Sequence, residues 1–131
     1  MMTVPTYVGP SAIEGIGIFA AAPIRAGQVI WVLEERFDLL LSASDLALLN
    51  ELQRGFVARY GYRHMTKPEF VVLEYDNGRF MNHCNRPNTD FRAPETGYAL
   101  RDIAEGEELT CDYAEFDPTC VMQAGRHFVG A

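Results

Sequence analysis

"GRFMNHCNRPNTD", residues 78–90, gathers aromatic, amide, imidazole, thiol and proline groups in a stretch with neither helical nor strand periodicity. Three readings compete for it: a metal-ligand loop, a nucleophile site, or a polar turn without chemistry. Cys84, Cys111, Cys120, His64, His83 and His127 could in principle supply metal ligands, yet none forms a C-x-x-C or H-x-x-x-H pair. Adjacent side chains such as His83 and Cys84 seldom reach one ion, so no metal is expected. Nucleophilic catalysis needs Cys or Ser to meet a base in space, and no strand-turn-helix elbow surrounds Cys84.

The rest of the chain narrows the choice. At 131 residues it is one domain, with an ordinary globular composition of 48% hydrophobic and 22% charged residues. No apolar run approaches the ~20 residues of a membrane span. The opening "MMTVPTYVGPSAIEG" lacks the basic and apolar regions of a signal peptide. Three cysteines give no disulfide framework and fit reduced thiols. A net charge of −7 argues against unaided binding of a phosphate backbone. It suits a basic partner, and equally an ordinary soluble surface. Lys67 is the one lysine among eleven basic residues, which we read as lineage bias.

Two stretches share the pattern Ala-x-x-x-Ile-x-x-Gly-x-x-aliphatic: "AAAPIRAGQVI" (20–30) and, 79 residues on, "ALRDIAEGEEL" (99–109). They predict two related hairpins, each turning at Gly27 or Gly106 and returning on itself, unless common turn chemistry coincides. Strands are expected at 17–21, 29–35, 70–74, 91–92, 98–100 and 108–112. A helix is expected from about Ser44 to Tyr60, capped by the polar "SAS" before it. Its stripe of Leu46, Leu49, Leu52 and Phe56 would face the core, and Gly55 would weaken its last turns.

Three segments in order carry a stronger signal. "EGIGIFAAAPIRAGQVIW", "RFMNHCNRPNTDF" and "IAEGEELTCDYAEF" together closely resemble the SET domain, the fold of most protein lysine methyltransferases. The match runs through Gly15, Gly17, Phe19 and Ala20. It continues at Arg79, Phe80, Asn82, His83, Pro87 and Asn88, and ends at Gly106 through Thr110, Asp112 and Tyr113. It covers about residues 7–116, leaving 117–131 as a tail to a single domain. Two departures stand out: Cys84-Asn85 replaces the usual Ser-Cys, and Cys111 replaces the aromatic before Asp-Tyr. The cysteine-rich flanks that many relatives use for zinc are missing, as in compact bacterial and viral forms.

The resemblance implies a mostly β fold, a β-clip of short sheets with one inserted helix and a C-terminal pseudoknot. It implies transfer of a methyl group from S-adenosylmethionine, leaving S-adenosylhomocysteine, to a lysine amine of a basic protein, histone-like or ribosomal. Gly15, Ile16, Gly17, Arg79, Phe80, Asn82, His83 and Tyr113 would contact the cofactor, with His83 a scaffold rather than a base. Tyr113 would be catalytic, aligning amine and methyl. Phe91, Cys111 and Tyr113 would line the lysine channel. Neither Phe91 nor Cys111 offers the phenol that restrains a methylated lysine, so di- or trimethylation is expected unless Tyr75 or Tyr98 folds into that place. Glu105, Glu107, Glu108, Asp112, Glu115 and Asp117 would form an acidic rim for a basic peptide, or a solvated loop. "FDPTCVMQAGRHFVGA" or a second subunit in a homodimer would close the channel. No nucleic acid or membrane is expected as a partner. The place of action would be a bacterial cytoplasm, or a host reached without a recognisable signal. The alternatives are a catalytically silent SET domain that binds a peptide, and a β-clip module that binds a small ligand.

Overall fold

The computed structural model describes residues 1–116. Among them are strands β1 (Thr6–Pro10), β2 (Ile16–Ala20), β3 (Val29–Val32), β4 (Leu39–Leu41), β5 (Tyr62–Arg63) and β6 (Val71–Leu73). Strands β7 (Asn82–His83), β8 (Thr89–Asp90), β9 (Thr96–Ala99) and β10 (Glu108–Cys111) complete three small sheets. Their orders are β1-β2-β10-β7, β3-β9-β8 and β4-β6-β5. The mostly β class agrees with the expectation. The strand expected at 91–92 lies two residues earlier, at Thr89–Asp90, where it pairs with Ala99 and Tyr98 of β9.

The two Ala-x-x-x-Ile-x-x-Gly segments are structural equivalents, but they do not fold back on themselves. Each bonds to the other. Gly27 N donates to Ala99 O and Gly106 N to Ala20 O, both at 2.8 Å, and Ile24 and Ile103 exchange bonds of 2.9 and 2.8 Å. Gln28 and Glu107 close the two turns alike, their side chains accepting from Arg25 N and Ala104 N at 3.1 Å. Gly27 and Gly106 hold φ of +80° and +85°, the left-handed region that a Cβ disfavours. Coincident turn chemistry would not produce reciprocal bonds at matched positions.

Residues 82–89 clasp β10 from both edges. Successive strand residues aim their backbone groups to opposite edges. Cys111 O faces β7 and accepts from Cys84 N at 2.9 Å, within a parallel pairing of Asn82 with Thr110 and His83 with Cys111. Thr110 faces the other way: its N donates to Asn88 Oδ1 at 2.9 Å and its O accepts from Thr89 Oγ1 at 2.7 Å. This wrap is the crossing expected of the middle motif, and it leaves Asn88 and Thr89 buried.

The expected helix is present but divided. Ser42 and Asp45 form one capping box at the start of α1 (Ala43–Ala47), and Asn50 and Gln53 form a second at the start of α2 (Glu51–Tyr60). The break at 48–50 resets the helical phase, so the leucine stripe no longer faces one way. Leu52 and Phe56 are 84% and 42% exposed, and Val57 is the buried residue of α2. The core gathers instead under the sheets, around Ile18, Ile24, Ile30, Trp31, Phe91, Ile103, Leu109 and Cys111. Among the described residues no helix is long and apolar enough to cross a membrane.

Candidate active site

A cleft opens beside the end of β10. Of the expected site residues, Arg79, Phe91, Cys111 and Tyr113 line it. Tyr113 begins a 3₁₀ turn capped by Asp112, and its hydroxyl donates to Met81 O at 2.6 Å. The phenol is thereby fixed against the strand that leads into Asn82. Cys111 is buried at the end of β10, and the Phe91 ring meets Trp31 edge-on at 5.4 Å.

The remaining expected residues sit outside the cleft lining. Asn82 is 1% exposed. Its amide nitrogen faces four acceptors, Ser11 Oγ, Glu14 O, Ile16 O and Glu108 Oε2, at 3.0–3.2 Å. That environment fixes the amide orientation and ties the Gly15–Gly17 turn to the motif. Asn82 Oδ1 is left buried without a partner. Gly15, at φ +50°, keeps an open approach, with Arg59 the nearest group to a would-be Cβ. Gly17 does not: the Glu108 carboxylate already fills the space where its Cβ would stand.

His83 links two segments through its ring. Its Nδ1 accepts from Tyr113 N at 3.1 Å, so the proton sits on Nε2, which faces Asn85 Oδ1 at 2.9 Å. Arg79 is a clamp, donating to Glu74 O at 3.0 and 2.7 Å and to Tyr75 O at 3.2 Å. Phe80 packs edge-on against Tyr60, 5.6 Å away.

The acidic rim is less available than its sequence suggests. Glu107 is taken by Arg101 and Asn88, and Glu108 by Ser11 and Asn82. Glu115 is partly buried, which pushes its carboxyl up. Asp117, Cys120, His127 and the tail lie outside the described residues.

Trp31, Tyr62 and Glu74 are among the cleft residues that escaped the sequence reading. Glu74 is 6% exposed, and burial pushes its carboxyl up to about 7. Tyr62 Oη donates to Glu74 Oε1 at 3.3 Å, while Oε2 has no partner. Burial and the nearby Glu74 raise the Tyr62 phenol well above its usual range. The available signal was a lone acid directly after the apolar run "FVVL". Tyr75, by contrast, is 66% exposed against Phe37, and Tyr98 pairs within the β3-β9-β8 sheet. Neither lines the cleft.

Elsewhere, Glu35, His64 and Glu95 approach one another closely enough to suggest a metal site. Their hydrogen bonding argues otherwise. His64 Nδ1 accepts from Thr66 N and Lys67 N at 3.2 and 3.1 Å, so Nε2 carries the proton. A protonated Nε2 is not a ligand.

Comparison with known proteins matches the same segments. Residues 15–114 match the SET domain family. The histone-lysine N-methyltransferase, H3 lysine-4 specific, of Eremothecium gossypii is 31% identical over 121 residues, 83% of this chain and 12% of that protein. Its Saccharomyces cerevisiae counterpart gives 31% over 83% of this chain and 11% of that one. The histone-lysine N-methyltransferase trithorax of Drosophila melanogaster gives 32% over 85% of this chain and 3% of that one. The chain thus spans a small fraction of the length of these curated relatives. Among solved structures, a Neurospora SET domain histone lysine methyltransferase superposes with a TM-score of 0.58 at 21% identity, covering 86% of this chain and 53% of that one. The Chaetomium thermophilum Polycomb Repressive Complex 2 bound to S-adenosylmethionine gives 0.63 at 22%, covering 87% and 16%. With the motifs, the wrapped strand and these matches in agreement, the chain belongs to the SET domain family.

Proposed function

We propose that this chain is a protein-lysine N-methyltransferase that uses S-adenosylmethionine and acts on a lysine of a basic, histone-like protein. The observation that carries this reading is a cleft lined by Cys111 and Tyr113, in which the Tyr113 hydroxyl is fixed on Met81 O and its N–H on His83 Nδ1. Relatives named as histone-lysine methyltransferases support the reaction class.

The donor set fits the cofactor. A buried acceptor without a partner, Asn82 Oδ1, suits an ammonium donor such as the cofactor's amino group. Gly15 and Ile16 offer open backbone beside it, with Gly17 held by Glu108 as their support. His83 would set the backbone path, and Arg79 and Phe80 would hold the segment rigid. When bound, the cofactor supplies an electrophilic methyl group on a positive sulfur. The Tyr113 hydroxyl would then orient the incoming amine, and narrow apolar walls at Phe91 and Cys111 would keep water away.

Di- or trimethylation follows from the channel residues. Phe91 and Cys111 carry no phenol, and the Tyr62 hydroxyl is turned to Glu74 rather than left for the amine. A methylated lysine keeps room to rotate.

The test is incubation with methyl-labelled S-adenosylmethionine and core histones, with labelled lysine sought by mass spectrometry. Labelled lysine is expected in the native protein. Tyr113→Phe should keep the thermal shift given by S-adenosylhomocysteine and lose turnover by about a hundredfold or more. A cofactor shift with no labelled lysine in any basic protein would support the silent, peptide-binding alternative. Absence of any shift would favour a β-clip binding module.

A further inference from the structure

We propose that Glu74 accepts the proton of the substrate's ε-ammonium inside the cleft, generating the neutral amine that the transfer requires. The proposal rests on the lysine-methylation reading of the same cleft.

The geometry is that of an acid kept for a cation. Glu74 follows β6, is 6% exposed, and lines the cleft that also holds Cys111 and Tyr113. One oxygen is held by Tyr62 at 3.3 Å, and the other is buried without a partner. Buried carboxylate oxygens ordinarily find donors, so an orphan on a residue that lines a cleft asks for one from outside. No lysine or arginine side chain hydrogen-bonds the carboxylate among the described residues. Arg79, the nearest candidate, spends its guanidinium on the Glu74 and Tyr75 carbonyls. Gly78 closes the other side, and a methyl group there would collide with Glu74 Oε2. The charged and titratable groups around the carboxyl are Tyr62, Asp38, Asp76 and the Met1 amino group, which itself pairs with Asp38. Tyr62 bridges the parts, since its phenol interacts with both Glu74 and Cys111.

The step balances simply. The N–H bond of the ε-ammonium breaks, its electron pair stays on nitrogen, and the proton bonds to a Glu74 oxygen. The carboxylic acid then returns the proton to water, leaving the site ready again. A group titrating near 7 is matched to that exchange.

The test uses the full chain with δ-¹³C-glutamate, the Glu74 resonance assigned by its absence in Glu74→Gln, or in Glu74→Asp should the first fail to fold. n-Butylammonium chloride, a mimic of the lysine side chain, should move that resonance saturably and lower its titration midpoint, whereas n-butanol should not. A Glu74 signal indifferent to the amine overturns the proposal, whatever the methyltransferase assays give. With core histones, kcat/KM should rise with pH through about 7, and Glu74→Gln should lose that limb with about a hundredfold of rate. An unchanged pH profile in Glu74→Gln also overturns it. An amine-responsive Glu74 in a protein that labels no lysine would support the amine site and defeat the methylation reading instead.

Discussion

Glu74→Gln should gain stability relative to the native protein as pH rises, and the size of that gain can be worked from the cleft. Burial raises the Glu74 carboxyl from 4.5 to about 7, so the folded state binds a proton more tightly than the unfolded chain. The neutral acid therefore contributes stability that is full below 4.5 and is lost as pH rises through about 7. At about 1.4 kcal/mol for each tenfold change in affinity, the loss across that window is about 3 kcal/mol. Glutamine has no proton to lose, so its curve lacks this slope. Its amide adds a donor at a cost: an NH₂ in place of Oε2 finds no acceptor there, at about 1–3 kcal/mol. That penalty is independent of pH, so it displaces the whole curve without changing its slope. Tyr62 titrates far above the window, and every other group is common to both proteins. The assay is urea unfolding of both proteins at a series of pH values spanning 4.5 to above 7. The difference should move by about 3 kcal/mol in favour of Glu74→Gln as pH rises. Parallel curves would refute the burial argument.

The paired turns give a second measurement: Gly27→Ala and Gly106→Ala should each cost about 1–2 kcal/mol in urea unfolding, because both hold positive φ and neither Cβ would clash. Unequal costs would break their equivalence. Asn82→Ala should lower stability by about 1–3 kcal/mol and weaken S-adenosylmethionine binding in calorimetry, since one amide ties Ser11, Glu14, Ile16 and Glu108 together. Retained cofactor affinity would free Asn82 from that role. Phe91→Tyr or Cys111→Tyr should shift the product towards monomethyl-lysine in mass spectra of fully converted histone. Monomethyl-lysine alone from the native protein would instead mean that Tyr62 already restrains the amine.

What the sequence displayed well was local. The wrapped segment, the two Gly turns and the Asp-Tyr terminus each carry their information within about a dozen residues, and the structure joins them as the motifs implied. The helix is less legible, because the hydrophobic spacing over 44–60 and the cap at its start conceal a second cap within it. Asn50 and Gln53 form a second capping box, and a cap at mid-stripe outweighs the stripe. The self-returning hairpins failed for a related reason. A turn motif fixes the turn but not the partner, and here each repeat found its bonds on the other. The glycine turn differs at its two ends: Gly15 is open, whereas the space at Gly17 belongs to Glu108, 91 residues away in sequence.

The chemistry that escaped notice is set by strand register, which no single motif contains. Tyr62 on β5 lies opposite Val72 on β6, so the two side chains share one face of the sheet. Glu74 lies two residues beyond Val72, and with a period of two it projects to that same face. The phenol and the acid are thus diagonal neighbours because of a pairing between residues ten apart in sequence. A slip of one residue would turn Tyr62 away from the cleft and put Arg63 beside Glu74. The acid would then gain an internal counter-ion and lose its orphan oxygen. The motifs position a tyrosine and a wrapped strand, but the small β4-β6-β5 sheet decides whether a charge inside the cleft remains unmatched. A search for missing phenols along the motif reaches Tyr75 and Tyr98. The register of a two-residue strand instead delivers Tyr62, with Glu74 behind it.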